Sequence, residues 1–166
     1  MTQHPSATGE PTGPRRVTNA PMRIAALAFG VVFLLIGFFG FIPGLTTNSD
    51  QLTWAGHHSG ALLFGIFQVS ILHNAVHLAF GAAGILAAGT SRSATIYFLA
   101  GGTIYAALWA YGLIVPHDSA ANVVPLNDAD NWLHLGLALG MLAIGILFGG
   151  HRSRLQDRAD PPPGRF

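Results

Sequence analysis

Long apolar runs broken by short polar stretches organise this chain. The first run extends from about 24 to 42 without a charge and ends at Pro43-Gly44. A second extends from about 60 to 89, with Gln68, Ser70, His73, Asn74 and His77 as its strongly polar groups. The third covers about 94–115, up to Pro116, and the fourth about 131–149. A membrane-crossing helix needs about 20 largely apolar residues, so the pattern predicts an all-α integral membrane protein, a bundle of four transmembrane helices. The second run, at roughly 30 residues, would make about 45 Å of helix and should tilt or protrude. Residues 1–22 and 151–166 are rich in Pro, Gly, Ser and Thr or in charge and read as disordered arms flanking a membrane domain over 23–150. The N-terminal arm lacks the form of a cleaved leader, so the first run reads as an uncleaved anchor. No internal repeat of 20–50 residues stands out.

Composition agrees. Of 166 residues 51% are hydrophobic and 9% charged, against about 25% charged in an ordinary soluble domain. Cysteine is absent, which excludes disulfides, thiolate metal sites and a cysteine nucleophile. A net charge of +1 offers no footing for nucleic acid. The arginines segregate: Arg15, Arg16 and Arg23 precede the first run, Arg92 lies between the second and third, and Arg152, Arg154, Arg158 and Arg165 follow the fourth. The other two connections carry Asp50, Asp118, Asp128 and Asp130. The positive-inside rule then puts both termini in the cytoplasm. Trp54, Trp109, Tyr111 and Trp132 fall near the outer boundary and read as an interfacial aromatic belt. Glycines in every run, among them Gly136 and Gly140 four apart in the fourth, imply close helix packing within one bundle, with a homo-oligomer interface as the other use.

The chemistry concentrates in two places. His73 and His77 are four apart, so they share a helix face near the middle of the second run. Ser70 and Asn74 flank them and can orient an imidazole, and Tyr105 in the third run is a candidate partner. Intramembrane ionisable residues usually face the bundle interior and often mark function. The bland reading is an internal polar core that fixes helix register. Beside it stand a metal site, a haem site, a proton or ion pathway, and a pocket for a small lipid or quinone-like molecule. A metal ion would need further ligands, and no carboxylate is expected at that depth. The outer cluster comprises His57, His58, His117, Asp118, Asp130 and His134. Asp130 and His134 are four apart, so the carboxylate can reach the imidazole; Asp128 or Asp130 also suits an N-cap. By helix rise His134 and His73 should differ by about 10 Å in depth, too far to share one small ion unless the second helix shifts outward.

The stretch Leu72-His73-Asn74-Ala75-Val76-His77-Leu78, followed by Gly81 and Gly84, together with Asp130-Asn131-Trp132-Leu133-His134-Leu135 and Arg92 in a short turn, resembles a bacterial family called domain of unknown function 4383. The resemblance covers roughly 20–150. It implies a four-helix bacterial membrane protein and brings no activity and no catalytic residue. No serine-nucleophile, metalloprotease, phosphate-loop or dinucleotide motif occurs. The expectation is therefore a non-enzymatic structural or accessory protein of the bacterial cytoplasmic membrane, without a cofactor, partnered by the lipid bilayer and by copies of itself or a membrane complex. A metal- or haem-binding redox-accessory role, or an ion pathway, is the alternative.

Overall fold

A computed structural model describes residues 20–149. Four helices, α1 (Ala20–Phe39), α2 (Ile71–Ala87), α3 (Ser91–Ile114) and α4 (Asp128–Gly149), run alternately up and down, and a small antiparallel sheet interrupts the first connection. Its strands are β1 (Thr46–Thr47), β2 (Leu62–Leu63) and β3 (Phe67–Gln68), in the order β1-β2-β3. The arms outside 20–149 lie beyond the described residues.

The helices begin and end where local chemistry directs. Pro21 stands in the first described turn of α1, where its missing N–H costs nothing, and the helix is already formed ahead of the apolar run. It also stops early. Phe41 and Ile42 turn back in tight bonds to the carbonyls of Phe38 and Phe39, and the Thr46 hydroxyl donates to the Phe39 carbonyl at 3.0 Å. Thr90 caps α3 by accepting from the Ser93 amide at 3.1 Å, which draws Arg92 into the first helical turn rather than leaving it in a loop.

The second apolar run is not one long helix. Leu63 pairs with Phe67 and Leu62 with Gln68, around a turn in which Phe64 and Gly65 both have positive φ, 54° and 71°. Gly65 adopts that backbone without strain. The chain then enters α2 at Ser70, whose hydroxyl accepts from the His73 amide at 3.1 Å. With 17 residues, α2 spans about 25 Å: it is short, not overlong. His73 thus sits in its first turn, at the sheet end of the bundle, and not at mid-helix.

The helices pack as two hairpins, α1 with α2 and α3 with α4. A Cβ added at Gly30 would lie 2.7 Å from the Ile85 nitrogen, and one at Gly81 2.6 Å from the Leu34 nitrogen. The first seam therefore closes backbone to backbone, as small residues allow in membrane helices. Gly101 and Gly102 admit Met141 and Leu142 in the second seam. Gly136 and Gly140 do not serve the bundle, since nothing lies within 4 Å of a Cβ placed on either. Aromatic rings fill the centre: Phe33 meets Phe80 edge-on at 5.1 Å between centroids and stacks on Tyr105 at 5.8 Å.

At the sheet end, the Gly56 amide donates to the Val123 carbonyl at 2.8 Å. The Tyr111 hydroxyl donates to the Ala121 carbonyl and accepts from the Val123 amide at 3.1 Å. Tyr111 thus stitches the α3–α4 connection, beyond any role as a boundary residue. Tyr111→Phe should loosen this loop and cost about 1 kcal/mol, seen as faster hydrogen exchange at Val123. At the opposite end Arg23 donates to the Ala88 carbonyl at 2.7 Å. Both arginines among the described residues, Arg23 and Arg92, belong to that end.

Candidate functional site

Because α2 starts at Ile71, its histidines come level with the start of α4, and two residues of the expected outer cluster, Asp130 and His134, meet the inner pair. His73, His77 and His134 line two adjoining cavities. Asp130 joins them at the larger, so a carboxylate does stand beside the histidine pair. All four side chains are buried, His73 and His77 at 8% exposure, His134 at 3% and Asp130 at 2%.

Each has a definite set of contacts. The His73 Nδ1 lies 3.1 Å from the Gln68 carbonyl, and the His77 Nδ1 3.1 Å from the His73 carbonyl. A carbonyl only accepts, so Nδ1 carries the hydrogen in both rings, and in the neutral ring Nε2 is left as an acceptor. The two rings lie 4.5 Å apart, centroid to centroid. Asp130 is neither the N-cap of α4 nor a partner of His134. Asn127 occupies the capping position: its side-chain oxygen accepts from the Asp130 amide at 2.9 Å, while the Asp130 Oδ2 accepts from the Asn127 amide at 3.1 Å, a reciprocal capping box. The same Oδ2 accepts from the Gln68 amide at 2.9 Å, so one carboxylate ties β3 to the start of α4. The Nδ1 of His134 has no hydrogen-bond partner among the described residues.

The remaining expected residues go elsewhere. Ser70 caps the backbone and orients no imidazole. Asn74 turns to the α1 seam, its amide filling the space that Gly40 leaves open, and its Nδ2 has no hydrogen-bond partner among the described residues. Tyr105 meets His134 ring to ring at 5.2 Å and forms no hydrogen bond with His73, Asn74 or His77 among the described residues. The His57 and His58 rings lie 3.9 Å apart, centroid to centroid, tilted by 40°, and His117 faces Asp128 at 4.0 Å. Both groups, with exposed Asp118, lie outside the buried cluster. Among the described residues no three histidine or acidic side chains converge to hold a metal ion.

The arrangement has an internal symmetry with a period longer than 20–50 residues. Asn74-x-x-His77-Leu78 in α2 matches Asn131-x-x-His134-Leu135 in α4, and His73 and Asp130 stand at equivalent positions. The contacts repeat as well. Asn74 fills the space at Gly40, and Asn131 the space at Gly112. Gly30 approaches the Ile85 nitrogen, and Gly102 the Leu142 nitrogen at 2.9 Å. Phe33 faces His77 at 5.6 Å as Tyr105 faces His134. The equivalent rings Phe33 and Tyr105 stack on each other within 10° of parallel, an arrangement compatible with an approximate two-fold relation between the hairpins. The cavities follow the same relation. The larger, about 380 Å³, lies between α1, α2 and α4 under the sheet. The smaller, about 210 Å³, lies between α2, α3 and α4. The signal in the chain was the repeated Asn-x-x-His-Leu, separated by more than a helical hairpin.

The outward faces of the described helices are largely apolar. Val32 and Phe38 on α1, Leu113 and Ile114 on α3, and Leu139 and Leu147 on α4 are all more than half exposed. Polar groups gather inside, the reverse of a water-soluble bundle. Three helices, α1, α3 and α4, are long and apolar enough to cross a membrane. The fold is thus a mostly helical protein of membrane-compatible type, built from two related hairpins around a buried polar cluster. The chain belongs to the family described as "Domain of unknown function (DUF4383)", which it matches over residues 23–147. No curated protein and no solved structure matches it.

Proposed function

We propose that this chain is a multi-pass, non-enzymatic component of the bacterial cytoplasmic membrane, with both termini in the cytoplasm and a structural or accessory role in a membrane assembly. The observation that carries this reading is the inverted distribution of polarity. Leucine, isoleucine and phenylalanine side chains face outward on α1, α3 and α4, where lipid would solvate them. Inside, Asp130 and His73 both bond to the backbone of Gln68, so the buried polar groups knit the sheet to the helices. Lipid offers such groups no partner, which is the physical reason to keep them inside. Arg23 and Arg92 at the end opposite the sheet agree with a cytoplasmic location for that end.

Reporter fusions test the topology. Fusions at either terminus should report the cytoplasm, and one inserted at the hairpin tip, Gly65, should report the opposite side. A periplasmic signal from a terminus, or recovery of the protein in the soluble fraction, would refute the reading.

A further inference from the structure

We propose that the larger cavity is a binding site for an uncharged, ring-bearing amphiphile with a hydroxyl head, a phenol or quinol drawn from the bilayer. The head would sit against His73, His77 and His134, and the body between α1 and α4.

One end of this otherwise apolar cavity carries a small group of acceptors. The Nδ1 hydrogens of His73 and His77 are committed to carbonyls, which leaves their Nε2 atoms to accept. The His134 ring is 3% exposed, and its Nδ1 finds no partner among the described residues. Buried polar atoms are usually hydrogen-bonded, and of the buried unpartnered side-chain atoms among the described residues this one belongs to a residue that lines the cavity, where a ligand can supply the bond. Asp130 adds a carboxylate at the same end, with only Oδ2 engaged among the described residues. Such a site asks its ligand for O–H donors. An anionic head is disfavoured, because it would meet Asp130 with no arginine among the lining residues.

The rest of the wall specifies the body. Phe29, Phe33, Phe64 and Phe67 surround the space, and aromatic faces favour a flat ring. The volume, about 380 Å³, lies within the range of roughly 300–1,000 Å³ usual for small-molecule sites. Val32 and Leu133 line the cavity and are 51% and 40% exposed, so it opens sideways on the face that the membrane reading gives to lipid. Location supports the assignment independently. The site lies where the two related hairpins meet, and internally repeated membrane proteins bind their ligands at such interfaces. The inference goes beyond the accessory role proposed above and does not depend on the orientation of the termini.

The test uses the full chain in detergent, titrated with a benzoquinol carrying a ten-carbon tail, its oxidised quinone, and the ten-carbon alcohol. The quinone keeps ring and tail but loses both O–H donors; the alcohol keeps the donor without the ring. Thermal unfolding should show a saturable rise in Tm with the quinol, with the quinone and the alcohol needing at least tenfold higher concentration. Ala28→Phe adds bulk to the apolar wall of the cavity on α1, and His134→Phe removes one acceptor. Each should keep a cooperative transition and weaken the quinol response at least tenfold. Direct calorimetric titration of the wild type gives the same ranking without relying on either variant. An equal response to the quinone or the alcohol overturns the proposal. So does a response that survives both substitutions, or a larger one to zinc or copper than to the quinol.

Discussion

Gly81→Leu should disrupt the first hairpin, with a loss at or above the upper end of the roughly 1–3 kcal/mol that overpacking usually costs. A Cβ at this position meets the Leu34 nitrogen at 2.6 Å and the Gly30 oxygen at 2.7 Å. Both are backbone atoms, so no side chain can swing aside, and α1 and α2 must separate. The same residue lines neither of the two cavities described above, and its neighbours belong to α1, so the effect isolates helix packing. Gly140→Leu is the matched control: nothing lies within 4 Å of its Cβ, and its stability should change by no more than about 0.5 kcal/mol. Thermal unfolding of both variants in one detergent checks the pair. If they melt together, the seam does not hold the hairpin.

Asp130→Ala should cost about 3 kcal/mol. It strands two backbone amides, those of Gln68 and Asn127, which now donate to Oδ2 at 2.9 and 3.1 Å, and each unsatisfied donor costs about 1–3 kcal/mol when it stays buried. Asp130→Asn should lose about half as much or less, because its amide oxygen can accept from both. Asp128→Ala provides the contrast. That carboxylate is 94% exposed and lies 4.0 Å from His117, an arrangement worth about 0–1 kcal/mol. Denaturant or thermal titration ranks the three. An Asp130→Ala protein as stable as Asp128→Ala would mean the carboxylate does not tie β3 to α4. Hydrogen exchange at Gln68 and Asn127 localises the loss.

Hydropathy, read along the chain, determined the number of helices, their order and the apolar exterior, because those depend on local composition. It placed α3 and α4 to within about three residues, and it singled out His73, His77, Asp130 and His134. The Asn-x-x-His-Leu segments were also visible, though their equivalence was not, because the repeat unit is a whole hairpin whose other contacts involve unlike residues such as Phe33 and Tyr105. The nature of 60–70 was hidden. Leu62 to Gln68 is as apolar as a helix, and what makes it a sheet is pairing with Thr46-Thr47 and a turn at Phe64-Gly65, neither of which composition encodes. Only the tertiary structure decided the register that follows. Starting α2 at Ser70 instead of Gly60 moves its histidines to the sheet end by about 15 Å of helix rise. That shift puts them beside Asp130 and His134, turns Asn74 into the α1 seam, and draws these two residues of the outer cluster into the inner one while His57, His58, His117 and Asp118 stay outside. Distance along a helix can be counted from the sequence, but the point from which to count is set by where the chain stops pairing as a strand.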